Sequence, residues 1–166
     1  MKTNNIKLFS GEFLLPVDYD EDFDDLLEKG NYDHVSDDIN EENFQSVVRA
    51  EQSGNAIQVA RFIGSRKGGI CDLIGFPYRQ ATLRELASYA LIQPSGSLFG
   101  VAYGSIYKIA PGKMKVPYFS DENNRRRLHG IFSELDYEKE PYGRLLVIRM
   151  CFDLNEYYQS QIEHFS

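Results

Sequence analysis

The stretch QATLRELASYALIQP, residues 80–94, constrains this chain more tightly than any other. Thr82 followed three residues later by Glu85 forms a capping box, in which each residue's side chain satisfies a free amide of the other. Leu83, Leu86, Ala87, Ala90 and Leu91 then recur at the three-and-four spacing of one helical face, and Pro94 cannot continue the turn. The spacing predicts a helix near residues 82–92. Around it stand segments of strand character. NAIQVARFIG (55–64) alternates Ile57 and Val59 with polar Gln58, GSRKGG is a turn, and ICDLIGF follows, so residues 56–76 read as a hairpin. Behind the helix come SLFGVAYGSIYKIA, MKVPYFS, RRRLHGIFSEL and GRLLVIRMCFDL, all rich in aromatic and β-branched residues. Leu145 to Ile148 is apolar throughout, as in a strand buried on both faces. Strands and helices in this order have no βαβ rhythm. The reading is an α+β fold with a largely antiparallel sheet.

The front of the chain differs in charge. NNIKLF and GEFLLPV read as an opening strand pair. From Asp18 to Glu42 there are then 12 acids against Lys29 alone, a charge of −11. The whole chain carries −7, so the remainder carries +4. Asp20 to Lys29 reads as a short helix, with Phe23, Leu26 and Leu27 on one face and Gly30 at the C-terminal cap. NYDHVSDDINEENF adds another turn or two, with Tyr32, Val35 and Ile39 inward. The organisation is thus one domain of 166 residues: an acidic helical segment 18–44, a sheet-rich part 55–154 and a C-terminal tail 155–166.

At this length a hydrophobic core needs no disulfide or metal staple. Residues 1–10 lack the apolar run of a secretory signal, and no window approaches the ~18 apolar residues of a membrane span. Cys71 and Cys151 have no partner motif and read as reduced, half-buried thiols, so the expected location is the cytoplasm. The acidic balance argues against direct nucleic-acid binding. No Gly-x-Ser-x-Gly elbow, phosphate loop or dinucleotide fingerprint is present. Cys71 with His129 could form a nucleophile pair, yet Cys71 stands in an apolar strand, where a thiol is usually inert. His34, His129 and His164 are too far apart for a metal motif, and the alternating acids Glu134 to Glu140 read as an exposed turn. Tyr103, Tyr107, Tyr118, Tyr137 and Tyr142 read as half-buried sheet residues. No catalytic residue, metal ligand or cofactor is assigned, and the balance leans away from an enzyme.

The second half also carries a recognisable pattern. YRQATLRELASYA, GVAYGSIYKI, KVPYF, RRRLHGIF and YGRLLVIRM resemble a family of small uncharacterised bacterial proteins. Those combine an Ala-Thr-Leu-x-Glu-Leu helix, a Val-Pro-Tyr segment, an Arg-Arg-x-Leu run and a closing Arg-x-Leu-x-x-Arg strand. VDYDEDFDDLLEKGNYDHVSDDINEENF is similar too, so the resemblance spans about Val17 to Arg149. This chain lacks the Trp that relatives often carry after the Arg-Arg-x-Leu run. The resemblance implies a single domain and no activity.

Two candidate sites follow. Asp18, Asp20 and Asp22 match the first three liganding positions of a calcium loop, but Phe23 and Lys29 replace the Gly and bidentate Glu it requires. Asp20, Asp22, Asp24 and Asp25 are therefore read as a surface for a basic protein partner, which makes the first expectation a non-enzymatic interaction domain. The alternative rests on Lys115, Arg125 and Arg127, whose charges suit a small anionic ligand or substrate. A competing role for these cations is internal pairing with the chain's own acidic segment.

Overall fold

The structure is a computed structural model that describes residues 6–8, 11–65, 77–93, 98–132 and 144–150. Its longest strand is β5 (Asn55–Ser65). One edge of β5 pairs antiparallel with two strands in tandem, β2 (Phe13–Asp18) along 55–60 and β1 (Ile6–Leu8) along 63–65. The two opening segments are thus strands, but they pair with β5 rather than with each other. The other edge of β5 holds β11 (Arg144–Arg149), and β11 in turn meets β6 (Tyr78–Gln80) and, in parallel, β7 (Leu98–Val101). From β7 the sheet passes to β9 (Lys113–Glu122) and β10 (Arg125–Phe132). β8 (Ser105–Ala110) pairs with β9 and carries β4 (Gln45–Ser46), and β3 (His34–Val35) adds to β10 in parallel. All other pairings among the described residues are antiparallel, which is the expected α+β arrangement. Residues 66–76 of the expected hairpin and the tail 155–166 lie outside the described residues.

The helices are α1 (Phe23–Lys29) and α2 (Leu83–Ile92). α2 has the anticipated box: Glu85 N–H donates to Thr82 Oγ1 at 3.3 Å, and Thr82 N–H to Glu85 Oε1 at 2.8 Å. Every residue from Leu83 to Ala90 is buried, including Arg84, Glu85 and Ser88, while Leu91, expected inward, is 40 % exposed. One side of the sheet packs Leu15, Phe62, Phe119, Leu128, Leu146 and Ile148 with Leu83, Leu86 and Tyr89 of α2. Burying each such side chain contributes about 1.5–3 kcal/mol. The Phe62 and Tyr89 rings meet edge-on with centroids 4.8 Å apart. The other side collects Ile63, Val101, Val116, Leu145 and Val147. Leu145 to Ile148 therefore alternate between two buried faces, as their apolar run predicts. Gln58 departs from the expected pattern: it is buried, and Ile57 is 48 % exposed.

The sequence predicts helix over most of 18–44, but α1 is the whole helical content there. After Gly30 the chain is irregular except for the two short strands β3 and β4. Tertiary anchors explain this course. Arg84 of α2 donates to both Glu41 oxygens (3.1 and 2.5 Å) and to the carbonyls of Asp18 and Glu21 (3.0 and 2.6 Å). Lys115 pairs with Asp38 at 3.0 Å. Arg126 Nε donates to Gly30 O at 2.9 Å and Nη2 to Ala90 O, while its backbone N–H donates to Asp33 at 2.7 Å. Asp18, Glu21, Gly30, Asp38 and Glu41 are thus fixed by distant cations, and Asp33 by a strand amide, instead of by helical periodicity. The acidic segment docks on its own domain.

The N-terminus of α2 is fixed just as firmly. Glu85 is fully buried and receives both guanidinium arms of Arg79, at 2.8 and 2.7 Å, and the Tyr19 hydroxyl at 2.5 Å. Gln58 donates to the Tyr19 oxygen and to Glu51, which also receives Arg79 at 3.4 Å. From the other side, Gly104 N–H donates to Ala81 O at 2.7 Å and Leu83 N–H to Ser105 Oγ at 2.8 Å. A Cβ on Gly104 would stand 2.4 Å from that Ala81 oxygen, so the close approach requires glycine.

Candidate functional site

β9 and β10 are joined by Asn123 and Asn124, both at positive φ (53° and 61°). Two left-handed residues make the primed turn whose twist suits an antiparallel hairpin, and Asn tolerates that region well. The turn sets the register: Arg125 faces Glu122, Arg126 faces Asp121 and Arg127 faces Ser120. Because side chains alternate, Arg125 and Arg127 share one face with Ser120 and Glu122, and Arg126 turns to the other. Arg125, Arg127, Ser120, Glu122 and Asn123 line a cavity of about 380 Å³.

The electrostatics divide along the same line. Arg126 is enclosed: its guanidinium lies 5.2 Å from the Phe119 ring centroid and 5.8 Å from that of Tyr32, and it reaches Asp121 at 3.4 Å. Arg125 and Arg127 are exposed and form no ion pair or hydrogen bond among the described residues. His34 is the register partner of Arg127, and His129 lies two residues beyond it on the same face, its ring 5.0 Å from that of Tyr118. Burial lowers the His129 pKa from its usual 6.5, the neighbouring His34 and Arg127 lower it further, and Asp38 opposes them. That side of the hairpin is thus set against additional positive charge and holds two guanidinium groups with unspent donors.

Lys115, grouped with these arginines by sequence, lies on the opposite face. It is occupied by Asp38 and stands 5.3 Å from the Phe132 ring centroid. The sequence question about internal pairing therefore has a split answer. Lys115 and Arg126 serve the fold, and Arg125 and Arg127 do not.

The four aspartates are all exposed. Asp22 has a structural task, accepting the amides of Asp24 (2.9 Å) and Asp25 (3.3 Å) as the N-cap of α1. The carboxylates of Asp20, Asp24 and Asp25 have no bonding partner among the described residues, whereas Glu21 pairs with Lys29. Asp18 Oδ1 accepts its neighbour Asp20 N–H at 3.0 Å. Among the described residues no group of three or more His, Cys, Asp or Glu side chains could hold a metal ion. Cys71, Cys151, His164 and the run Glu134 to Glu140 lie outside the described residues. Tyr103 is buried, and Tyr107 and Tyr118 are half-buried sheet residues.

Sequence reasoning missed the Arg79–Glu85–Tyr19 cluster. Its only local signal is Glu85 at the third helical position, which reads as a cap. The cluster's other members are distant in sequence, joined by the pairing of β2, β5 and β6 around α2. Among the described residues no helix is long and apolar enough to cross a membrane. No model of a protein family, curated protein or solved structure matches the chain.

Proposed function

We propose that this protein is a non-enzymatic binding domain of the cytoplasm whose ligand is a small anion, a carboxylate or a phosphate, held by Arg125 and Arg127. One observation carries this reading: two guanidinium groups line the same cavity with their donors unspent, while Arg79, Arg84, Arg126 and Arg149 are each committed to carboxylates. Guanidinium forks match the planar oxygens of carboxylate and phosphate, and Ser120 adds a hydroxyl opposite Arg127. Calorimetric titration with inorganic phosphate and with acetate at low salt tests it. Saturable binding lost in Arg125→Gln/Arg127→Gln supports the reading, and binding unchanged in that variant overturns it.

The exposed carboxylates of Asp20, Asp24 and Asp25 favour a second reading, docking of a basic protein on the acidic segment. Replacing all three by Asn leaves the Asp22 cap in place. Salt-sensitive binding of a lysine-rich peptide should then disappear. Equal binding by the triple variant would remove this reading.

A further inference from the structure

Between the start of α2 and the chain from Glu41 to Gln52 lies a second cavity, of about 400 Å³. Tyr19, Glu41, Glu51, Thr82, Arg84 and Ser105 supply its polar lining, and Phe44, Val48 and Ala50 its apolar wall. This size lies within the range of small-molecule sites.

Its chemistry follows from which hydrogen-bonding groups are already used. All three Arg84 nitrogens are engaged, with Glu41 and with the carbonyls of Asp18 and Glu21. Both terminal nitrogens of Arg79 are held, by Glu85, Gln80 O and Glu51. The Tyr19 proton goes to Glu85, that of Thr82 to Glu85, and that of Ser46 to Val48 O. Acceptors remain. Both recorded bonds to Glu51 fall on Oε2, leaving Oε1 open, and the Glu51 side chain is 50 % exposed. Glu41 is 43 % exposed, and its oxygens each accept a single bond. Glu41, Glu51 and Glu85 against Arg79 and Arg84 leave the cavity and its wall one negative charge. A guest meets open carboxylate oxygens, and the uncommitted donors among the lining side chains are chiefly the Gln52 amide and the Ser105 hydroxyl.

We infer that this cavity binds an organic cation, a protonated amine or a guanidinium, between Glu41 and Glu51 with its carbon stem against Val48 and Ala50. The inference is independent of the Arg125–Arg127 reading, because the two cavities share no residue and select opposite charges.

Amide chemical-shift mapping of the full chain tests it, with agmatine and cadaverine as free cations, acetyl-arginine amide as a surrogate for a protein side chain, and glutarate as control. Saturable shifts at Glu51, Thr82 and Ser105 are expected with the cations and none with glutarate. Comparable binding of acetyl-arginine amide would point to a partner's side chain, and its failure beside bound agmatine to a free amine. Glu51→Gln should weaken binding about tenfold or more, the scale of one charge-assisted hydrogen bond. That variant disturbs the contacts to Gln58 and Arg79, so Ala50→Phe serves as a second probe, filling the cavity while leaving both carboxylates. Loss of binding in Ala50→Phe, with spectral dispersion kept, places the ligand in the cavity. Absence of saturable shifts, equal response to glutarate, or undiminished binding in Ala50→Phe overturns the inference.

Discussion

Replacing Glu85 by Gln isolates the charge at the centre of the fold. Glu85 has no exposed surface, and the Arg79 side chain it pairs with is 8 % exposed. The neutral amide keeps the size of the carboxylate, but its single oxygen can accept either from Thr82, which bonds Oε1, or from the Tyr19 hydroxyl, which bonds Oε2. It leaves the buried Arg79 guanidinium with only the longer contact to half-exposed Glu51, at 3.4 Å, as counter-charge, and with an NH2 group facing one of its nitrogens. Removing one partner of a buried pair costs about 3–5 kcal/mol. With a urea slope of about 1–3 kcal/mol/M, the unfolding midpoint should fall by about 1–5 M. The double variant Arg79→Met/Glu85→Gln removes the stranded charge and should recover much of the loss, because replacing both members of such a pair by neutral groups is often nearly neutral. A loss below about 1 kcal/mol for Glu85→Gln, or a double variant no more stable than the single, refutes the reasoning.

The same site sets an acid limb. Burial opposes ionisation of Glu85, but the hydrogen bonds and charge of Arg79, with the Tyr19 hydroxyl and Thr82 amide, hold its carboxyl below the ordinary 4.5. The folded pKa is thus lower than the unfolded one. Its stabilisation is complete above about pH 4.5 and disappears as pH falls through the lower folded value. Denaturation followed between pH 7 and 2 should show a flatter acid limb for Glu85→Gln than for the parent chain. Tyr19 remains a donor throughout, since burial and the adjacent Glu85 raise its pKa.

Three further predictions test other parts of the account. Arg126→Met removes the link from Gly30 and Ala90 to the sheet and leaves Asp121 buried; it should cost at least about 1.5–3 kcal/mol, with faster amide exchange in α1 than in α2. Gly104→Ala forces a methyl group toward Ala81 O and should cost about 1–3 kcal/mol in thermal or urea unfolding, with shifted amide resonances at Leu83 and Ser105. His129 should titrate below 6.5 by NMR, and since the unfolded chain takes up that proton more readily, it should make folding less favourable as pH drops through the histidine range. Saturating phosphate should raise the His129 value by offsetting the Arg127 charge; an unchanged value would count against an anion beside Arg127.

The parts of the fold legible in the sequence are those determined by neighbours along the chain. The capping box and leucine spacing define α2, and the apolar run Leu145 to Ile148 marks a strand covered on both faces. Residues 31–44 were not legible, because Arg84, Lys115 and Arg126 hold them from α2, β9 and β10. Gln58 defeats the alternation rule for a similar reason. Its buried amide has partners in Tyr19 and Glu51, which satisfies a polar group where a hydrophobic one would be expected. At the candidate site, sequence identified the arginines and not their division. The Asn123–Asn124 turn sets the β9–β10 register and separates Arg125 and Arg127 from Arg126 and Lys115.

Arginine side-chain NMR during a phosphate titration tests the central claim most directly, since Arg126 provides a control within the same strand. The account predicts saturable shifts of the Nε resonances of Arg125 and Arg127 and of the Ser120 amide, with Arg126 unmoved. Shifts that fail to saturate, or that spread equally over Arg126 and the other cations, would contradict it.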